Sequence, residues 1–404
     1  VKDLGLITIN ESKAKDFILK NQGLIDAVAK SVSGLVRDAD GNLDVYSADN
    51  LEKILSYKGH LGISNQDNLT SIDELQYYRN VTGITLDKNK NLAGKLDFSK
   101  YPQLVGNIIV QNSPLVTSID VTGLDKITAF SATNMKNMTD VTIKGNSKLQ
   151  NVSLHHNEVL QAVDVRDLPE LRLVETYYSK SVTTIKTAGS PKLTSINATS
   201  SNSLSSIPGL NENTQLVDFV APYTALESLD FSNQPNLRSV NLLSAKIKEL
   251  KGLAAAGTNL KNLQLSNTQL SSLDVSNNTE LLELELYNSK ITKLDVTANK
   301  KLKRLRIPFN PLEELVLGDN TALEYLDISH DRLSTLDITK LTALTKIYAG
   351  RQTQKANPGI LQSMTVYYTA AQKTVLDPVI AGSKDSNKVN YAETNADATY
   401  VVKN

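Results

Sequence analysis

Five carboxylate and amide side chains crowd one early stretch, "DADGNLDVYSAD". Asp38, Asp40, Asn42, Asp44 and Asp49 fall there at loop positions 1, 3, 5, 7 and 12, a spacing that could ligate calcium. Two features weaken that chemistry. Gly41 stands at position 4 rather than 6, and the twelfth residue is Asp rather than the longer bidentate Glu. The competing reading is an Asp-Gly turn between two helices, so the loop is only a weak metal candidate and no other is expected. The four histidines are His60, His155, His156 and His330. On a regular strand the adjacent pair His155 and His156 would point to opposite faces and could not chelate together. No HExxH, GxSxG, P-loop or GxGxxG motif occurs in a usable context. No catalytic residue and no cofactor are expected, and the chain reads as a non-enzyme.

Acids and amides recur at regular intervals. Asp120, Asp164, Asp230, Asp274, Asp295 and Asp337 each follow an apolar residue, with Asp327 in a related phrase. A column of carboxylates could form a cation ladder, but Asp in turns more often accepts neighbouring backbone N–H groups. Asn157, Asn267, Asn288, Asn299 and Asn310 also recur in turns, where stacked amides can satisfy buried backbone.

These intervals come from an internal repeat. The residue opening each "LxxLxL" phrase is Val81, Leu104, Ile127, Leu149, Leu171, Leu193, Leu216, Leu237, Leu260, Leu281, Leu302, Leu323 and Leu344, in steps of 21 to 23. Such a period with Leu at fixed offsets marks a leucine-rich repeat. Each repeat carries a second phrase, as in "SSLDVSNNTE" and "TKLDVTANKK". Both phrases alternate apolar and polar with period two, which predicts an extended segment on each side of every coil. Segments rich in Asn, Ser, Gly and Pro do not support long helices between them. The expected fold is mainly β: a right-handed leucine-rich-repeat solenoid with strands on both sides of the coil.

The phrases "LLELELYNSKI" and "LKRLRIPFNPL", alternating with second phrases such as "SSLDVSNNTE" and "TKLDVTANKK", resemble the nested 21-residue bacterial repeats called IRREKO. Asn278, Asn299, Gln234 and Leu341 show the family's choice of Asn, Gln or Leu after the second phrase. The resemblance covers about Val81 to Leu344 and is looser before Leu216, where Thr176 stands in place of a core Leu. It implies an internalin-like or gut-bacterial surface protein that adheres to or recognises host or neighbour macromolecules. A secreted or outer-surface location, and a lipoprotein anchor in the precursor, belong to the same implication.

A solenoid needs caps at both ends. The expected organisation is a helical N-terminal cap over 1–66, a solenoid of about twelve coils over 67–352 and an α+β capping segment over 353–404. The stretch "AKDFILKNQGLIDAVAKSVSGLV" is helical in period, with Phe17, Ile18, Leu24, Ile25 and Val28 on its apolar face. Ser47 is the expected N-cap of a second helix. Near the C-terminus, "QSMTVYYTAAQKTVLDPVIAGS" predicts a strand and then a helix, and "KVNYAE" a return strand.

Lys+Arg and Asp+Glu both number 43, which argues against nucleic acid or an anionic membrane as a bulk-charge partner. There is no Cys, hence no disulfide framework. No apolar run approaches the ~20 residues of a membrane span. The start, "VKDLGLITIN", lacks the basic and apolar regions of a signal peptide.

Function is expected on the strand face. Counting the opening residue as position 1, positions 3, 5 and 7 should point outward, with equal positions stacked coil on coil. Glu283, Arg304 and Tyr325 then lie side by side, as do Glu285, Arg306 and Asp327. His155 shares a position with Tyr177, and His156 shares one with Tyr178 and Tyr223. The candidate ligand-binding residues are His155, Tyr177, Tyr178, Tyr223, Tyr287, Arg304, Arg306 and Tyr325, and the expected partner is a protein or a glycan. The alternatives are an intracellular interaction scaffold, or an enzyme with a site hidden in the C-terminal segment.

Overall fold

Alternation becomes strand in the computed structural model, which describes residues 2–3, 8–9, 22–385 and 391–404. The chain forms two compact units, Val1–Asn213 and Thr214–Asn404. In the first, parallel strands His60–Ser64, Gly83–Asp87, Gly106–Gln111, Ile127–Thr133, Asn151–Ser153, Leu173–Glu175 and Ser195–Asn197 stack in chain order. In the second, Asp218–Val220, Ser239–Asn241, Asn262–Gln264, Glu283–Glu285, Arg304–Arg306, Tyr325–Asp327 and Lys346–Tyr348 do the same. The second phrases form shorter parallel ladders on the other side of each coil, such as Lys293–Asp295 with Glu314–Val316. Each unit is therefore a parallel β-solenoid with strands on both sides. Its core is a stack of one-coil layers, such as Leu281, Leu284 and Leu286, all fully buried. Burying each such Leu stabilises the fold by roughly 1.5–3 kcal/mol.

One corner repeats in every coil. Position 8 adopts left-handed φ at Lys88, Asn134, His156, Tyr178, Ser200, Tyr223, Ser244, Asn267, Asn288, Phe309, His330 and Arg351. Asn112 does so one place later, after a register shift at Gly106. The turn sends the position-8 N–H to the position-7 carbonyl of the next coil, as from His156 to Tyr177 at 3.0 Å and from Phe309 to Ser329 at 3.2 Å. Position 9 turns inward as a buried polar ladder. Asn157 Nδ2 donates to Ala132 and Leu154 carbonyls, and Asn310 Nδ2 to those of Leu286 and Ile307. A second ladder follows the other phrase, with Asn299 Nδ2 on Val275 and Asn278 carbonyls.

The recurring amides thus fall into two kinds. Asn157, Asn299 and Asn310 are buried, whereas Asn267 and Asn288 lie at the exposed left-handed corner, linked to each other by a 3.0 Å side-chain bond. Thr176 is fully buried in its Leu position, and its Oγ1 meets Ser201 Oγ at 3.1 Å. That coil closes with a hydroxyl pair there.

At the N-terminal side, helix α1 (Gln22–Ala29) buries Leu24, Ile25 and Val28. It ends at Ala29, before the end of the helical period, and the chain after it reaches a left-handed Gly34. Phe17 and Ile18 lie outside the described residues. Helix α2 (Ala48–Leu55) is capped by Ser47, whose side chain accepts the Asn50 N–H.

At the C-terminal side, strand Met364–Tyr368 pairs with Thr335–Asp337 and with Ala398–Val402. Between them helix α3 (Ala370–Gly382) starts at a Thr369–Gln372 capping box. Gln372 Nε2 donates to Ile338 and Leu341 carbonyls, and Asn395 Nδ2 to Ile347, so this segment supplies the amide that closes each ladder. The return strand is Ala398–Val402 rather than "KVNYAE". Lys388, Val389 and Asn390 lie outside the described residues. Tyr391 to Glu393 bond to coil side chains instead of a strand neighbour, and Glu393 has φ 58°.

Candidate functional site

The strand face carries two aromatic groupings, one in each unit. In the first unit the ring of His155 stacks on Tyr177 at 4.2 Å and 9°, and His156 on Tyr178 at 5.0 Å and 29°. One-coil spacing brings equal positions within ring contact. The two histidines also meet, Nδ1 to Nδ1 at 2.8 Å. This corrects the expectation of opposite faces. Alternation holds only for extended backbone, and His156 has φ 57°. Burial, and then the neighbouring His156, hold the His155 ring below the usual imidazole range. Tyr178 remains 54 % exposed at its left-handed corner. The corner is the one every coil adopts, and here it turns the Tyr178 ring toward His156.

In the second unit the predicted stacking is present: Glu283 pairs with Arg304, Arg304 with Tyr325, Glu285 with Arg306, and Arg306 with Asp327. These side chains are largely occupied with one another. Arg304 Nε donates to Glu285 at 2.9 Å, and its guanidinium lies 4.0 Å from the Tyr325 ring centre. The Tyr325 hydroxyl donates to Glu393 at 2.6 Å. Tyr287 meets Phe309 edge-on, and Phe309 stacks on His330 at 4.1 Å. His330 Nε2 lies 2.8 Å from the Tyr391 carbonyl oxygen. Tyr223 is exposed at its own left-handed corner.

Two carboxylates in this unit are buried. Asp327 accepts the Ser329 N–H and hydroxyl and the Glu393 N–H, and burial pushes its pKa up to about 6. Asp331 is fully buried in the inner ladder, and burial raises it well above the usual carboxylate range.

The other acids serve their own turns. Asp120, Asp164, Asp230, Asp274, Asp295 and Asp337 each accept, on Oδ1, the N–H two residues on. In the early acidic loop, Asp38 Oδ1 accepts from Asp40 and Asn42, and Asp44 Oδ1 from Tyr46. Asp49 lies in the first turn of α2. Among the described residues no three His, Asp or Glu side chains converge as metal ligands.

His156, Phe309, His330 and Tyr391 of this face are not among the candidate ligand-binding residues of the sequence, although His156 is already placed there at the position of Tyr178 and Tyr223. The signal for the first three was present: they sit seven residues after Leu149, Leu302 and Leu323. Tyr391 gave none, because it reaches the face only through the C-terminal segment.

No family model matches the chain, and no curated protein matches it by sequence. Solved structures do. The internalin InlF of Listeria monocytogenes is 14 % identical with TM-score 0.50, covering 95 % of this chain and 96 % of its own. The functional domain of InlJ from the same organism is 18 % identical with TM-score 0.48, covering 79 % and 70 %. A leucine-rich-repeat protein of Leptospira interrogans is 14 % identical with TM-score 0.49, covering 87 % and 90 %. The fold is that of a leucine-rich-repeat solenoid.

Proposed function

We propose that the chain is a non-enzymatic recognition protein, secreted or held on a bacterial outer surface, that binds a protein or glycan through its strand face. The carrying observation is the quartet His155, His156, Tyr177 and Tyr178. Four rings form one partly exposed cluster. Tyr at such a spot offers a large rigid contact with a polar tip, which suits either partner. The likeness to InlF supports a binding scaffold through fold alone. Among the described residues no helix is long and apolar enough to cross a membrane.

Two experiments test this reading. Protein and glycan arrays are probed with the wild type and with Tyr178→Ala and His155→Ala. Binding partners should be lost with either variant, and partners retained by both would place recognition elsewhere. Protease shaving of intact producing cells should release peptides from 260–344. Protection until lysis would favour the intracellular scaffold.

A further inference from the structure

In the second unit a recess of about 380 Å³ opens on the strand face beside the C-terminal segment. Gln264, Ser266, Glu285, Tyr287 and Arg306 come from three successive coils, and Tyr391 of the C-terminal segment also lines it. That volume lies in the range of small-molecule sites.

Its donors are not used up. Ser266 is 3 % exposed, and its hydroxyl oxygen accepts the Tyr287 N–H. The hydroxyl proton has no acceptor among the described residues. The Arg306 guanidinium lies 3.8 Å from Glu285 and 4.0 Å from Asp327, too far for hydrogen bonds. Its Nε is buried without an acceptor. Both neighbouring acids are engaged elsewhere. Glu285 accepts from Arg304 Nε and Gln264 Nε2, and Asp327 accepts the Glu393 N–H. The guanidinium charge is ion-paired with both acids, but its hydrogen-bonding capacity is not filled, so the arrangement favours an incoming acceptor.

The acceptor's type follows from Arg306. A planar fork pairs best with a carboxylate. The walls describe the rest of the ligand. The Tyr287 ring lies 5.2 Å from the guanidinium, and Tyr391, 69 % exposed, also lines the recess. Gln264, Ser266 and Glu285 add an amide, a hydroxyl and a carboxylate suited to hydroxyl groups, and Leu243 and Ala392 complete the lining. We infer that this recess binds a carboxylated sugar, with Arg306 taking the carboxylate and Tyr287 and Tyr391 flanking the sugar ring. The inference rests on the recognition role proposed above but uses none of the first unit's quartet.

The full chain is titrated with glucuronic acid, with uncharged glucose, and with an acetylated glutamate-containing tripeptide, by calorimetry and saturation-transfer NMR. Glucuronate should bind at least about tenfold more tightly than glucose. Arg306→Gln should lose about tenfold, the range for a charged hydrogen bond. Tyr391→Ala, at an exposed position, should weaken binding without changing the thermal melt. Tyr178→Ala should leave glucuronate binding intact, so failure of the quartet and failure of this recess are distinguishable. Absence of saturable glucuronate binding, equal binding of glucose, or tighter binding of the peptide would overturn the assignment.

Discussion

Asp331 stands one coil after Asn310 at the same place in the inner ladder, and its Oδ1 accepts the Asn310 backbone N–H at 2.8 Å. In Asn310 the second side-chain atom is an amide that donates to carbonyls of its own and the preceding coil. In Asp331 it is Oδ2, buried and without a partner as a carboxylate. Protonation turns that oxygen into the donor the ladder requires, consistent with a pKa raised by burial. The folded pKa lies above the unfolded one. The stabilising contribution is therefore complete below the unfolded value of about 3.9 and is lost as pH rises through the folded pKa. Asp331→Asn should raise neutral-pH stability by roughly 1–3 kcal/mol, the cost of an unmatched buried polar group. The gain should fade in acid. Urea midpoints of both proteins from pH 4 to 8 check it, and a pH-independent difference would contradict it.

Asp327 supplies a second titration. Its carboxyl should titrate near 6 by carbon-detected NMR, since burial outweighs the Ser329 and Glu393 hydrogen bonds and the Arg306 charge. Arg306→Ala removes a favourable charge and should move the midpoint upward. The folded pKa is again raised, so the carboxyl's contribution is lost as pH climbs through about 6.

The His155–His156 contact needs at least one neutral ring. The His155 pKa is lowered, by burial and then by His156, so its contribution runs the other way. It is present above the unfolded value of about 6.5 and is lost as pH falls through the folded pKa. Acidification from neutral should loosen the Tyr177 and Tyr178 stacks, seen as changed ring shifts in NMR. His156→Ala should raise the His155 midpoint.

Gly350 shows how closely the C-terminal segment sits. An added Cβ there would lie 2.4 Å from the Ala396 carbonyl oxygen, and the Gly350 N–H donates to Thr394 at 2.8 Å. Gly350→Ala should destabilise by about 1–3 kcal/mol, as overpacking does. Limited proteolysis should then cleave beyond residue 391 faster than in the wild type. Unchanged cleavage would show that the segment accommodates the methyl.

Periodicity in the sequence determined the solenoid, its double set of strands and the neighbours on its face. Glu283, Arg304 and Tyr325 are adjacent because the repeat length is the coil length, so equal positions must stack. The Ser47 cap and the strand and helix at 364–382 were legible for the same local reasons. Tertiary structure alone decided the position-8 corner. Lys, Asn, His, Tyr, Ser, Phe and Arg share no preference for left-handed φ, and they adopt it because the next coil's carbonyl captures their N–H. That capture turned His156 onto His155. The docking of Tyr391 and Glu393 on His330 and Asp327 also lay beyond local reading, since more than sixty residues separate the partners. Contacts at that separation follow from how the chain end packs, which no periodic signal encodes.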